Sequence, residues 1–134
     1  MSDDLYQDAL LRLSKDTSRR GRLDPHDASV RLDNPLCGDR VRIDLRLADG
    51  RIADLAHEVR GCVLCQAAAG VIAMKAVGLD RAGVSRLCED VEQVLRGETP
   101  QAPELASFAP VVPHRSRHDC VRLPFQALKQ AAGA

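Results

Sequence analysis

The chain has 134 residues, with nineteen Lys+Arg against nineteen Asp+Glu, so its formal net charge is zero and no global field steers it to nucleic acid or a membrane surface. Hydrophobic residues make up 45% but aromatics only 2%, with no Trp, which requires an aliphatic, alanine-rich core and leaves out the stacked rings that single-stranded nucleic acid needs. No run approaches the roughly twenty apolar residues of a transmembrane helix, and the acidic start Met1-Ser-Asp-Asp is unlike a signal peptide, so one soluble, cytoplasmic domain over residues 1–134 is expected.

Residues 3–13 read as a helix with Ser2 as its N-cap and Leu5, Tyr6, Ala9, Leu10 and Leu13 as one apolar stripe. Residues 14–40 are polar and turn-rich, with only Val30 and Leu32 hinting at a short strand. Residues 41–47 alternate, Val41, Ile43, Leu45 and Leu47 on one face and Arg42, Asp44 and Arg46 on the other. Asp49-Gly50 is a favoured tight-turn pair, and the return strand 51–60 puts Ala53, Leu55, His57 and Val59 on one face. Residues 63–78 form a helix of small residues closed by Gly78, and residues 83–96 a second, with Val84, Leu87, Cys88, Val91, Val94 and Leu95 at helical spacing. Residues 97–116 hold three prolines and read as loop, with one helical turn around 104–108. The last helix starts near Cys120 and runs to about Ala132, with Pro124 in its first turn. The plan is α+β: a small antiparallel sheet, hairpin 41–60 plus a short N-terminal strand, packed with four to five helices.

Five cysteines are an odd number, which cannot pair fully within one chain, and a reducing cytosol disfavours disulfides, so metal binding or sulfur chemistry is the better reading. Cys37 and Asp39 fall on a Pro/Gly loop before the first long strand, Cys62 where the second strand meets a helix, and Cys120 at the start of the last helix. Helix N-termini favour thiolate, the form that binds metal and attacks sulfur. Three thiolates and one carboxylate would complete a tetrahedral shell for zinc, or ligate the irons of a small cluster. With a divalent metal that shell is a net dianion, and Arg117, three residues before Cys120, is placed to offset it.

The remaining candidates are weaker. Cys88 belongs to the apolar stripe of its helix and reads as core. Cys62-Val-Leu-Cys65 is a CxxC, so Cys65 is either a redox or metal partner of Cys62 or a small packed residue one turn further in. His57 reads as a hydrogen-bonded sheet histidine, and His26 and His114 as loop residues without partners at ligand spacing. His118 or Asp119 could join or replace a metal ligand.

Asn34-Pro-Leu-Cys-Gly-Asp39, Gly61-Cys62 after a hairpin, and Arg117-x-x-Cys120-x-x-Leu123 with Ala127-Leu128 together resemble the IscU/SufU/NifU family of iron–sulfur assembly proteins. The resemblance covers the chain from about residue 15 onward. It implies a fold of the SufE/NifU kind and carries Cys37, Asp39, Cys62 and Cys120 over as metal ligands gathered at one exposed end. Within the family it looks closer to the SufU branch: the 58-residue step from Cys62 to Cys120 is long, Asp119 stands where the scaffold branch tends to have His, and no Leu-Pro-Pro-Val-Lys stretch occurs. That branch implies zinc, sulfur accepted from a SufS-like cysteine desulfurase, and at most a sulfurtransferase activity. Apo iron–sulfur proteins or other assembly factors would receive the sulfur. Cys37, on a loop between Pro35 and Gly38, is the expected persulfide acceptor, because moving Cys62 or Cys120 would disturb a packed helix start. The alternative is a scaffold that builds and transfers a [2Fe–2S] cluster; the third is a zinc-stabilised or redox domain using Cys62 and Cys65.

Overall fold

Asp49-Gly50 makes the turn on which the sheet is built. Both residues have positive φ (54° and 75°), the left-handed pair that matches the twist of two antiparallel strands, β2 (Asp39–Ala48) and β3 (Arg51–Arg60). In the computed structural model, which describes residues 2–36 and 38–134 (side chains from residue 8 onward), β1 (Ala28–Asn34) pairs with the other edge of β2. The order is β1-β2-β3, all antiparallel, with Val30 opposite Ile43, Leu32 opposite Val41, and Leu45 opposite Leu55. The short strand hinted at by Val30 and Leu32 is thus seven residues long.

Two details depart from strict alternation. The β2–β3 register shifts after Arg46/Asp54, and the next pair is Leu47 with Ile52. One extra residue on β3 moves Ile52 into the core (2% exposed), leaves Ala53 exposed, and leaves Leu47 at the surface (41%). Asp44, expected on the solvent face, is fully buried because the loop before β1 folds over it. It accepts hydrogen bonds from Ser29 Oγ (2.6 Å), Arg42 Nε (2.9 Å) and the Leu23 N–H (3.1 Å). Burial pushes its carboxyl pKa up, but those bonds and the charge of Arg42 outweigh it and leave the pKa below the usual carboxylate range.

The helices cover the sheet's apolar face. Helix α1 (Ser2–Ser14) includes Ser2 in its first turn, and helix α2 (Val63–Lys75) buries Cys65, Ala67, Ala68, Ala69, Gly70, Val71, Ile72 and Ala73. The small residues let α1 lie directly on α2: a Cβ on Gly70 would run into the carbonyl of Leu13, whose carbon would be 2.9 Å away. Helix α2 stops at Lys75, not Gly78, because the chain beyond it joins β3 instead, Ile52 N–H to Leu79 O (2.9 Å) and Gly78 N–H to Ile52 O (2.8 Å). Helix α3 (Arg81–Leu95) begins with Asp80 as N-cap, accepting from the Gly83 N–H at 2.8 Å. The Cys88 thiol points at the Phe125 carbonyl (3.5 Å), and burial pushes its pKa up to about 11, which suits a packing residue.

The single helical turn expected around 104–108 is a longer 3₁₀ helix, Pro103–Val111, within the segment otherwise read as loop. Leu105, Phe108 and Val111 recur every third residue and so share one buried face of a helix with three residues per turn. Asp90 anchors its entrance by accepting from the Gln101 and Ala102 N–H groups, both at 2.7 Å. A short 3₁₀ turn, Arg115–Arg117, leads into helix α4 (His118–Ala132). Because α4 starts at His118, Pro124 lies in its second turn rather than its first, so the N–H that would reach the Cys120 carbonyl is missing. Helix α4 packs against α2, α3, β1 and β2. No helix among the described residues is long and apolar enough to cross a membrane.

His57 is 3% exposed on the core face of β3, and neither ring nitrogen has a hydrogen-bond partner among the described residues, contrary to the bonded histidine expected. Burial, then the charge of Arg20, lowers its pKa, while Asp16 acts the other way. An unfolded His57 takes up its proton near pH 6.5, whereas the buried ring resists until lower pH. Metal-free protein should therefore lose stability as pH falls below about 6.5, and His57→Leu should flatten that slope in denaturant titrations. An unchanged slope would show that His57 is not its source.

Candidate metal centre

Three elements deliver the site. Asp39 is the first residue of β2 and is 2% exposed. Cys62 follows β3 and is the N-cap of α2, in extended conformation (φ −70°, ψ 170°), with its side chain making no cap bond to the helix. Cys120 lies in the first turn of α4 and is 2% exposed. One carboxylate oxygen of Asp39 and the two sulfurs all lie within 4.8 Å of one another. The donor set, two thiols and a carboxylate, fits a borderline-soft divalent ion or iron.

The register of the hairpin makes this approach possible. Arg40 pairs with Arg60, so Asp39 faces Gly61 across the end of the sheet. Asp39 Oδ1 accepts the Cys62 N–H at 3.1 Å, and Cys62 Sγ lies 3.8 Å from Oδ2. A Cβ on Gly61 would collide with Oδ1, with Cγ at 2.8 Å. Only glycine lets the carboxylate lie flat against the backbone here, and this role of Gly61 was missed in the sequence; its signal was a glycine between a strand end and a candidate ligand.

The Arg117 guanidinium serves both sulfurs. Its pKa is raised by its hydrogen bond to Cys62 and the attraction of that sulfur, then, against a cost of desolvation, by attraction to Cys120 and a hydrogen bond to it. Arg117 thus interacts with both sulfurs of the group. Cys37 lies outside the described residues. Its neighbours form a turn, Gly38 N–H to Asn34 O (2.8 Å) and Leu36 N–H to Asn34 Oδ1 (3.1 Å), leading directly into Asp39.

The other candidates are not drawn in. His118 is buried, with Nε2 2.9 Å from the Val112 carbonyl, and exposed Asp119 accepts from Arg122 at 3.2 Å. Cys65 is fully buried within α2 and is not part of the donor group. His26 has Nδ1 3.1 Å from the Leu23 carbonyl, and His114 is exposed.

The family model described as the NifU-like N terminal domain matches residues 5–132. The chain belongs to that family. Among its NifU-like relatives, the iron-sulfur cluster assembly scaffold protein IscU of Thermotoga maritima is 28% identical over 130 residues, covering 95% of this chain and 92% of its own. The zinc-dependent sulfurtransferase SufU of Bacillus subtilis is 23% identical over 132 residues, covering 96% and 89%. A crystal structure of a NifU-like N-terminal protein from Brucella abortus superposes with a TM-score of 0.89 at 28% identity, covering 96% of this chain and 92% of that one. These likenesses establish the α+β fold and the family without singling out the SufU branch.

Cys37→Ser, Cys62→Ser and Cys120→Ser are each expected to abolish stoichiometric metal binding, and Gly61→Ala to weaken it by displacing Asp39, whereas Cys65→Ser and Cys88→Ser should retain it. A ligand at hundred-fold excess over its Kd adds about 2.7 kcal/mol, roughly 10 °C in Tm for a chain of this size. Elemental analysis and melting curves with and without chelator check both expectations. Metal retained by Cys120→Ser but lost in Cys65→Ser would move the site to the CxxC.

Proposed function

We propose that the chain is a zinc-dependent sulfur carrier of iron–sulfur cluster assembly, accepting sulfur from a cysteine desulfurase and passing it to apo iron–sulfur proteins or other assembly factors in the cytoplasm. The observation that carries this reading is the mutual spacing of the three donors. Zinc bonds of about 2.3 Å to sulfur and about 2.0–2.2 Å to oxygen give tetrahedral edges of roughly 3.5–3.8 Å. Cys62 Sγ and Asp39 Oδ2, 3.8 Å apart, already stand at that edge. A two-iron cluster divides its four ligands between two irons, so any three of them include a pair separated across the cluster. A group whose members are all within 4.8 Å suits a single ion better. The sequence adds the long segment between Cys62 and Cys120, which here includes the packed 3₁₀ helix, and Asp119 directly before Cys120, where the scaffold branch tends to have His.

Cys37 would supply the fourth ligand. Bound zinc would hold the thiols as thiolates and guard them from oxidation. In sulfur transfer, the Cys37 thiolate attacks the outer sulfur of the desulfurase's cysteine persulfide. The old sulfur–sulfur bond breaks, the desulfurase leaves as its thiolate, and Cys37 carries the new persulfide with its proton; nothing is oxidised or reduced overall. Arg117 keeps the charge of Cys62 and Cys120 balanced while Cys37 is engaged elsewhere. The names of the T. maritima and Streptococcus pyogenes relatives, both scaffold proteins IscU at 28% identity, favour the second reading, a scaffold for a [2Fe–2S] cluster.

Zinc-loaded protein incubated with a cysteine desulfurase and cysteine should carry added sulfur on Cys37, at least about tenfold above any other cysteine by peptide mass spectrometry. Sulfur on Cys120 or Cys65 instead would contradict the assignment of Cys37. Absence of persulfide, with a cluster forming once iron is added, would establish the scaffold reading.

A further inference from the structure

The solvent face of the sheet carries an arginine cluster that the metal centre does not use. Two rows cross the three strands: Arg31 opposite Arg42 opposite Glu58, and Asp33 opposite Arg40 opposite Arg60. Arg22, from the preceding loop, reaches Glu58 at 2.5 Å. Arg40 and Arg42 are paired with Asp33 and the buried Asp44, whereas Arg31 and Arg60 are exposed and form no ion pair among the described residues. Arg22, Arg31, Arg40, Arg42 and Arg60 line an open cleft of about 200 Å³ whose one acidic lining residue among the described residues is Glu58.

Two like-charged pairs directly opposite each other, Arg31–Arg42 and Arg40–Arg60, are destabilising in a sheet. A chain of zero net charge could have avoided them, and a local rule broken with only part of the charge compensated nearby marks a functional surface. The cluster also has a definite place. Arg40 follows Asp39 and Arg60 precedes Gly61-Cys62, and at about 3.3 Å per strand residue the rows lie within roughly 10 Å of the metal centre. At the same end Leu36, adjoining Cys37 in the chain, is 95% exposed. An apolar tip beside a charged surface is the make-up of a docking site with an apolar centre and a polar rim.

We infer that this arginine face docks an acidic segment of the sulfur-donating protein and so brings its persulfide to Cys37. The inference rests on the sulfur-relay reading. Opposite charge accelerates encounter and fixes orientation, and the pairing weakens with salt. Arg31 and Arg60, with no ion pair to give up among the described residues, provide the attraction.

Binding of zinc-loaded full-length protein to the cysteine desulfurase is measured against salt, with the double variants Arg31→Glu/Arg60→Glu and Arg31→Gln/Arg60→Gln alongside. The wild type should bind more weakly as salt rises. The glutamate variant should lose roughly tenfold or more in affinity and the glutamine variant less, with zinc content unchanged and Tm not lowered, since both relieve the like-charge pairs. Loading of Cys37 by inorganic polysulfide should be equal in all three. Desulfurase affinity unchanged in the variants would overturn the docking face, even with sulfur relay intact. Affinity dependent on the arginines without sulfur transfer would support the docking face and refute the relay. Saturable inorganic phosphate binding at the cluster, with no desulfurase binding, would overturn the inference in favour of a small-anion site.

Discussion

The carboxylate of Asp39 holds the structure's functional end together. It is almost fully buried, so its charge needs partners, and the first is the N–H of Cys62 at the start of α2. That bond joins the beginning of one strand to the beginning of a helix across the end of the sheet. It forms because the hairpin register sets Asp39 opposite Gly61, where a side chain would block it. The same register fixes which β3 residues enter the core, so strand pairing and site geometry cannot be changed independently. Helix α4, packed on both β2 and α2, then places Cys120 beside the pair.

Charge balances in total but is unevenly placed along the sheet. The site concentrates sulfur and carboxylate donors at one point, with Arg117 set against the two sulfurs. Asp44, fully buried a few residues along the same strand, is satisfied by three hydrogen bonds, one from Arg42. On the solvent face that arginine belongs to a cluster that exceeds what the nearby carboxylates can neutralise. The sheet thus has two working regions joined at residues 39–40 and 60–62, an end that gathers metal donors and a cationic face.

Much of the fold was legible because its signals are local. Asp49-Gly50, the alternation of residues 41–47 and the helical spacing from Val84 to Leu95 each determine an element over a short span, and the site cysteines stand out at element boundaries. What the sequence concealed depends on distant partners. Asp44 looks like an outward residue until the loop carrying Leu23 covers it. The bulge that exchanges Leu47 for Ile52 arises from the paired strands together. The spacing of Leu105, Phe108 and Val111 was readable, but the prolines around it favour a loop until α1 and α3 supply a surface to bury against. Helix α4 starts at His118 because the turn Arg115–Arg117 runs directly into it, which places Pro124 deeper in the helix than its chemistry prefers. Gly61 was visible as a residue, but its reason lies in a carboxylate 22 positions away.

The account stands on one metal ion being held by Cys37, Asp39, Cys62 and Cys120. X-ray absorption at the zinc edge, with iron and labile sulfide assayed on the same anaerobically purified sample, tests it most directly. One zinc per chain, coordinated by three sulfurs and one oxygen, is the predicted result. Two irons and two labile sulfides per chain, with zinc absent, would contradict it.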